Sequence, residues 1–510
     1  MEKLDLTRRQ LILGAAAAGA VTALPGCGNS SAADGTLPVT PAQGALETDV
    51  AIVGAGLAGL ACARELVKAG RSCMVLEARD RVGGRTLNGT LPDGQPIEIG
   101  GQWVGPTQDR ILALAAELGV GTYKTYDTGQ YIDYRNGVAA PYGGFDDPSG
   151  VGANRIPPTD PSAAAEAGEV IERLNQMAAE VPPEAPWSAP SSAEWDGQTF
   201  QSWMDQNMAT PGGKSLVALA IEAVFSAQPR DLSLLHLLFY IRAAGNLNNL
   251  INTTNGAQDS RFHGGSQLVS IRAAQGLGDR VFLNSRVDAI AQDATGVTVS
   301  GAGFAVRARQ VVVAVPPTLA ARIRYAPGLP ALRDQMAQRM PMGSVIKLMC
   351  VYERPFWRDA TLTSPNGLAG QATSDQGPVK ITFDNSPDGP NPAFGVLMGF
   401  MEGTDGREWS AKTTDERRTA AIECFVRYFG AQAANPLAYL EQDWMREEYS
   451  RGGYGGMFPP GGWLDFGRAL TEPVGRIHWA GTETSPIWNG YMDGAVRSGE
   501  RAAAAVIARL

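Results

Sequence analysis

The chain has 510 residues, 44% hydrophobic and 19% charged, enough to bury a sizeable core in two or three domains and too apolar for a mostly disordered chain. Its net charge of -9 argues against a nucleic-acid or anionic-membrane surface, because phosphate binding is driven by Lys and Arg. Five Cys do not make a disulfide scaffold in a chain this long, and with three His (His236, His263 and His478) no metal centre is expected.

The first element is Thr7-Arg8-Arg9-Gln10-Leu11, followed by an uncharged run from Leu11 to Leu24 and then Leu24-Pro25-Gly26-Cys27. A basic start, an apolar run and a small-residue exit read as an export signal over residues 1–27. The 14-residue run is shorter than the roughly 17 to 25 residues of a membrane-spanning helix. The paired arginines resemble a twin-arginine signal. Leu24 to Cys27 is similar to a lipoprotein processing site, with Cys27 as the residue that would carry the lipid anchor and Pro25 as a departure from the pattern. Residues 28–44, rich in Ser, Ala, Gly and Pro, read as a flexible linker. The expected location is therefore outside the cytoplasm, periplasmic or at the cell surface.

From Thr48 the pattern changes. A short apolar run, Asp49 to Val53, leads to Gly54-Ala55-Gly56-Leu57-Ala58-Gly59, then to a helical pattern that stops at Gly70. A second apolar run, Cys73 to Leu76, ends in Glu77. Strand, glycine turn, helix, strand and a terminal acid form a Rossmann-like dinucleotide-binding unit. Gly54 permits the turn, Gly56 lets the backbone approach a pyrophosphate, and Gly59 lets helix and strand pack closely. The helix start offers N–H groups to phosphates, and Glu77 can accept from two ribose hydroxyls. The unit itself leaves NAD and FAD both open.

Further motifs narrow the choice. The segments Glu77 to Thr86, Glu98 to Pro106, Asn255 to Gln258, Gly264 to Ser266, Ser285 to Val287, Ser344 to Lys347, Ala480 to Thr484 and Trp488 to Ala495 together resemble the flavin-containing monoamine oxidase family, which includes polyamine and L-amino-acid oxidases. The matches run from about residue 48 to the C-terminus. The resemblance implies an α/β fold: a Rossmann-like FAD-binding domain assembled from residues 45–122, 262–336 and 447–510, and a discontinuous α+β substrate domain from 123–261 and 337–446. Gln310 to Val315 is almost continuously apolar, as a strand covered on both faces should be. Met492, Ala495, Val496, Gly499, Ala503, Val506 and Ile507 recur at helical spacing.

The same resemblance assigns the site. Tyr454 and Tyr491 match two tyrosines that face each other across the flavin as an aromatic cage, where ring faces can guide an amine; a core Tyr with a satisfied hydroxyl is the plainer reading of each. Lys347, on an apolar strand with Val345 and Met349 on its face, matches a lysine that holds a water against the flavin and assists reaction with oxygen. Its plainer reading is a solvent-facing lysine on an edge strand. Gln258 and Trp488 are candidate substrate contacts that could equally be structural. Arg79, Arg85 and Glu483 are expected as cofactor contacts, the arginines for pyrophosphate, and Val287 as a backbone contact to adenine. Gly453 stands where the mitochondrial enzymes carry the cysteine that attaches their flavin, so FAD is expected to be noncovalent. The chain also shows no apolar C-terminal tail like the anchor of those enzymes. Cys62, Cys73, Cys350 and Cys424 show no pairing pattern and read as buried thiols.

The expected activity is FAD-dependent oxidation of a small-molecule amine to an imine and then a carbonyl compound, with oxygen or an electron carrier as acceptor and hydrogen peroxide as the product of the oxygen route. Three alternatives stay open: an L-amino-acid oxidase, which needs an arginine fork for the carboxylate, an amine dehydrogenase using a carrier, and a non-catalytic flavoprotein that binds a cation.

Overall fold

In the computed structural model, which describes residues 41–143, 161–361 and 367–510, the apolar run ending at Val53 lies in the middle of a sheet. Val50, Ala51 and Ile52 are fully buried, and the strand Gly44–Val53 runs parallel to both Phe304–Val313 and Cys73–Leu76. Backbone pairing carries this strand four residues upstream of Thr48, into the stretch read as a tether, because Gly44 to Thr48 pair with Phe304 to Ala308. The residues 1–40, which hold the export signal and Cys27, lie outside the described residues.

The eight-stranded sheet continues through Val281–Phe282 on one side and through Val297–Gly301, Ala289–Gln292 and Arg324–Ala326 on the other, with Ile477–Trp479 also paired to Phe304–Val313. One face is covered by the helices Leu57–Lys68 and Met492–Ile507. Small residues let these two approach: a Cβ on Gly499 would stand 2.2 Å from the carbonyl oxygen of Ala58.

A second sheet of seven strands follows the order Ala438–Asp443, Val345–Tyr352, Gly395–Glu402, Ile381–Asp384, Leu368–Ser374, Gln130–Arg135 and Val138–Tyr142. The Val345–Tyr352 strand is flanked on both sides and every residue of it is buried. Lys347 is therefore on an inner strand, next to the edge strand Ala438–Asp443, and the edge-strand reading does not hold. A helical layer of Pro161–Ala179, Pro211–Phe225 and Leu234–Ala243 packs around Leu174, Ile221, Leu235 and Leu238, each buried aliphatic side chain contributing roughly 1.5–3 kcal/mol. Thr210 and Ser233 cap two of these helices by accepting the N–H of Gly213 and His236, which satisfies donors the helix itself cannot. Cys62, Cys73, Cys350 and Cys424 are buried free thiols. Among the described residues no helix is long and apolar enough to cross a membrane, and no His, Cys, Asp and Glu gather as a metal site.

Candidate active site

The three glycines of the first turn stand in three different situations. Gly54 has φ of 101°, in the region that favours glycine. A Cβ on Gly59 would stand 2.0 Å from the carbonyl oxygen of Gly54, so only glycine allows this helix to meet the strand so closely. Gly56 caps the helix at its N-terminus, and a Cβ there would meet nothing within 4 Å. Its open side faces a cavity of about 720 Å³.

Glu77 accepts the N–H of Ala55 on one oxygen at 2.8 Å and that of Arg79 on the other at 2.9 Å. A carboxylate has about four acceptor positions, so two remain for ribose hydroxyls. Glu77, Arg79 and Val287 line the same cavity as Gly54 and Gly56. The Arg79 guanidinium is shared with Ser450 at 2.9 Å and Glu447 at 3.2 Å. The exposed helix start, the acid and the open glycine suit a dinucleotide such as FAD.

Arg85 and Glu483, expected as separate cofactor contacts, form one pair across the fold. Arg85 donates to the two carboxylate oxygens at 2.6 and 3.2 Å, and also to the carbonyl oxygen of Tyr454 at 2.7 Å. Burial alone would push the Glu483 carboxyl up; Arg85 and the N–H of Gly456 hold it below the usual carboxylate range. Arg85 lines the cavity, whereas Glu483 stands behind its wall.

Lys347 is 3% exposed. Its ammonium donates to the carbonyl oxygen of Gly100 at 2.9 Å and to Oε1 of Gln102, and Gln102 is itself held by Asn385 at 2.7 Å. Burial pulls the Lys347 ammonium down from 10.5 to about 7, against the attraction of Glu98. Gln102 escaped the sequence reading although it lies in the Glu98 to Pro106 motif.

Tyr454 and Tyr491 line one cavity with Lys347 and Gln258, and each ring is backed by another aromatic. Phe400 stands nearly perpendicular to Tyr454, its centroid 6.0 Å away. Trp488 meets Tyr491 edge to face at 4.9 Å, a favoured aromatic geometry. Trp488 does not itself line the cavity. It sits at φ of 49°, an outlier for a bulky residue, held by its N–H to Ala243 at 2.9 Å and its indole N–H to Thr107 at 3.2 Å. Its place is thus behind the Tyr491 ring, in support. Gly490 keeps room for Tyr240, since a Cβ there would stand 2.2 Å from its hydroxyl.

Gln258 donates to the carbonyl oxygen of Leu250 at 3.0 Å, while its own Oε1 is buried without a partner and available to an N–H donor. The indole N–H of Trp103, another residue the sequence reading passed over, is likewise buried without a partner at the cavity wall. Part of the wall is apolar, formed by Ile171, Leu216, Ala220, Leu250, Ile251 and Phe383, and Asn252, Gln371, Thr373 and Thr382 also line the cavity. Among the described lining residues the guanidinium groups are those of Arg79, Arg85, Arg286 and Arg322, of which the first three are paired with Glu447, Glu483 and Asp288.

The family model for flavin containing amine oxidoreductase matches residues 57–507. The flavin-containing monoamine oxidase AofH of Mycobacterium tuberculosis is 42% identical over 462 residues, covering 91% of this chain and 97% of that protein. Human flavin-containing amine oxidase B is 37% identical over 462 residues, covering 90% and 86%. Among solved structures, putrescine oxidase bound to putrescine superposes with a TM-score of 0.82 at 34% identity, over 91% of this chain and all of that one. Cyclohexylamine oxidase from Brevibacterium oxydans does so with a TM-score of 0.82 at 33% identity, over 91% and 99%.

Proposed function

The chain belongs to the flavin-containing amine oxidoreductase family, an FAD enzyme that oxidises amines, and from that premise we propose that its substrate is an amine with an apolar body, converted with oxygen and water to a carbonyl compound, an amine or ammonia, and hydrogen peroxide. The observation that carries this reading is one cavity walled by Tyr454 and Tyr491, reached by Lys347 and extended by aliphatic side chains.

Bound FAD would supply the acceptor for the two electrons and the hydrogen lost when the carbon–hydrogen bond next to nitrogen is broken and the imine forms. The residues of the chain supply the surroundings. The apolar wall strips water from an entering ammonium, which lowers its pKa and favours the neutral amine. The two ring faces orient it, and the unpartnered Oε1 of Gln258 can accept one of its N–H bonds. Lys347, drawn toward neutrality by burial, lines the cavity and could hold a water there beside bound FAD. Gly453 precedes Tyr454 and offers no thiol, which supports a noncovalent cofactor. Of the guanidinium groups that line the cavity among the described residues, Arg79, Arg85 and Arg286 are each already paired with a carboxylate, which favours amines over amino acids.

Residues 1–27 are proposed to export the folded enzyme, with residues 28–40, ahead of the buried Ala42 and the strand that starts at Gly44, as tether and Cys27 as lipid anchor; cell fractionation of an Arg8→Lys/Arg9→Lys variant tests this, and unchanged export would reject the route. For the activity, anaerobic mixing with monoamines, diamines and amino acids is the test. Bleaching of the flavin by apolar monoamines and not by amino acids is expected, and no bleaching by any amine would leave only a cation-binding flavoprotein. Admitting oxygen then separates an oxidase, which regains colour and yields peroxide, from a dehydrogenase.

A further inference from the structure

The hydroxyl groups of Tyr454 and Ser226 both donate to the same carboxyl oxygen. Tyr454 reaches Oε1 of Glu402 at 2.8 Å and Ser226 reaches it at 3.0 Å. Both donors favour the ionised carboxyl, whose oxygen has lone pairs for the two of them, and so act against the effect of burial. Glu402 is 5% exposed, and burial pushes its carboxyl up to about 8.

The strand register explains its position. Glu402 stands opposite Val345, and Phe400 stands opposite Lys347. Side chains two apart share a face of a sheet, so all four point toward one side, the side on which Val345, Lys347 and Phe400 line the cavity. Ser226 arrives from the helix Pro211–Phe225, which it ends with φ of 51°. That conformation is uncommon for a residue other than glycine. It persists here because the Ser226 carbonyl accepts the N–H of Ser344 at 2.8 Å and its hydroxyl is turned to Glu402.

We propose that Glu402 is the positioning residue for Tyr454: its carboxyl fixes the phenol from behind, sets the ring face toward the cavity and, once ionised, strengthens the hold of that face on a cationic ammonium group. This rests on Tyr454 walling the amine site as read above. The titratable and charged neighbours of Glu402 are few. Glu222 on Pro211–Phe225 pushes its carboxyl up and Lys380 pulls it down. Lys380 lies 2.6 Å from Asp405 on the helix Gly403–Ser410 and 3.9 Å from Glu222. Lys347 stands on the adjoining strand, and Tyr491 lines the same cavity as Tyr454.

Two measurements on the holoenzyme test the proposal. The first uses glutamate labelled with carbon-13 at the carboxyl and identifies the Glu402 resonance by its loss in Glu402→Gln. Removing the phenol donor with Tyr454→Phe should raise the midpoint of that resonance, because the hydrogen bond favours the ionised form; an unmoved midpoint overturns the proposal. The second reads binding of benzyltrimethylammonium, whose charge is fixed, by the flavin difference spectrum from pH 6 to 9.5. Wild type should tighten with pH by about threefold or more beyond Glu402→Gln. Loss of charge from Lys347 acts on both proteins and cancels. Glu402→Leu should bind roughly three- to tenfold more weakly at pH 6, the loss of one hydrogen bond; if it does not fold, the near-isosteric Gln variant decides. Identical binding by wild type and Glu402→Gln at every pH overturns the proposal. If wild type does not bind the ammonium at all, the amine-site reading falls, while the carbon-13 titration still decides whether Glu402 positions Tyr454.

Discussion

Lys347 donates to the carbonyl oxygen of Gly100 across 2.9 Å, a contact that ties an inner strand of one sheet to the loop following the short strand Pro96–Glu98 of another. An ammonium buried in this way is satisfied by dipoles without a carboxylate touching it. Its charge therefore costs more than it would in water, and the consequence is a pH dependence that can be measured.

With a folded-state value of about 7 against an ordinary 10.5, Lys347 binds its proton less readily in the folded chain than in the unfolded one. Stability from this group is present at high pH and lost as pH falls from 10.5 through 7. Lys347→Met removes that dependence, so relative to wild type it should be more stable at pH 6 than at pH 9 by a few kcal/mol. The acceptors left behind are the same at both pH values and cancel. Urea unfolding at the two pH values measures the difference, and no change in the relative stability would refute it. In stopped-flow experiments the variant should also slow reoxidation by oxygen, by about a hundredfold, with a smaller effect on reduction by amine.

Gly56→Ala and Gly59→Ala should separate a ligand role from a packing role. The Cβ at Gly59 would collide with the backbone of Gly54, whereas that at Gly56 would enter open space. Gly59→Ala should therefore destabilise the apoprotein by roughly 1–3 kcal/mol. Gly56→Ala should leave apoprotein stability within about 0.5 kcal/mol and weaken FAD binding. Thermal unfolding of the apoproteins and titration with FAD provide the check; equal effects of both substitutions on apoprotein stability would contradict it.

Tyr491 presents a ring face that Trp488 supports at 4.9 Å. Tyr491→Phe keeps that face and should retain most of kcat/KM. Tyr491→Leu should lower kcat/KM about tenfold, the size of an aromatic contact worth roughly 0.5–1.5 kcal/mol. Equal activity of the Phe and Leu variants would show that the ring does not guide the amine.

Gly453 leaves the segment before Tyr454 without a nucleophile, so acid precipitation should release yellow flavin into the supernatant. Colour retained in the pellet would mean a covalent bond elsewhere in the chain.

Gly54, Gly56, Gly59 and Glu77 were legible in the linear chain because turn chemistry and strand periodicity are local properties, set by residues within a few positions of one another. The paired tyrosines and Lys347 were recognisable by the motifs around them. Folding alone determined that Arg85 and Glu483, 398 positions apart, neutralise each other, that Trp488 stands behind Tyr491 and outside the cavity, and that Glu402 meets Tyr454. Glu402 lies in Met401-Glu402-Gly403 with no motif to mark it. Its role exists only because strand order and register, fixed by burial of whole sheet faces, bring distant segments into one dry space.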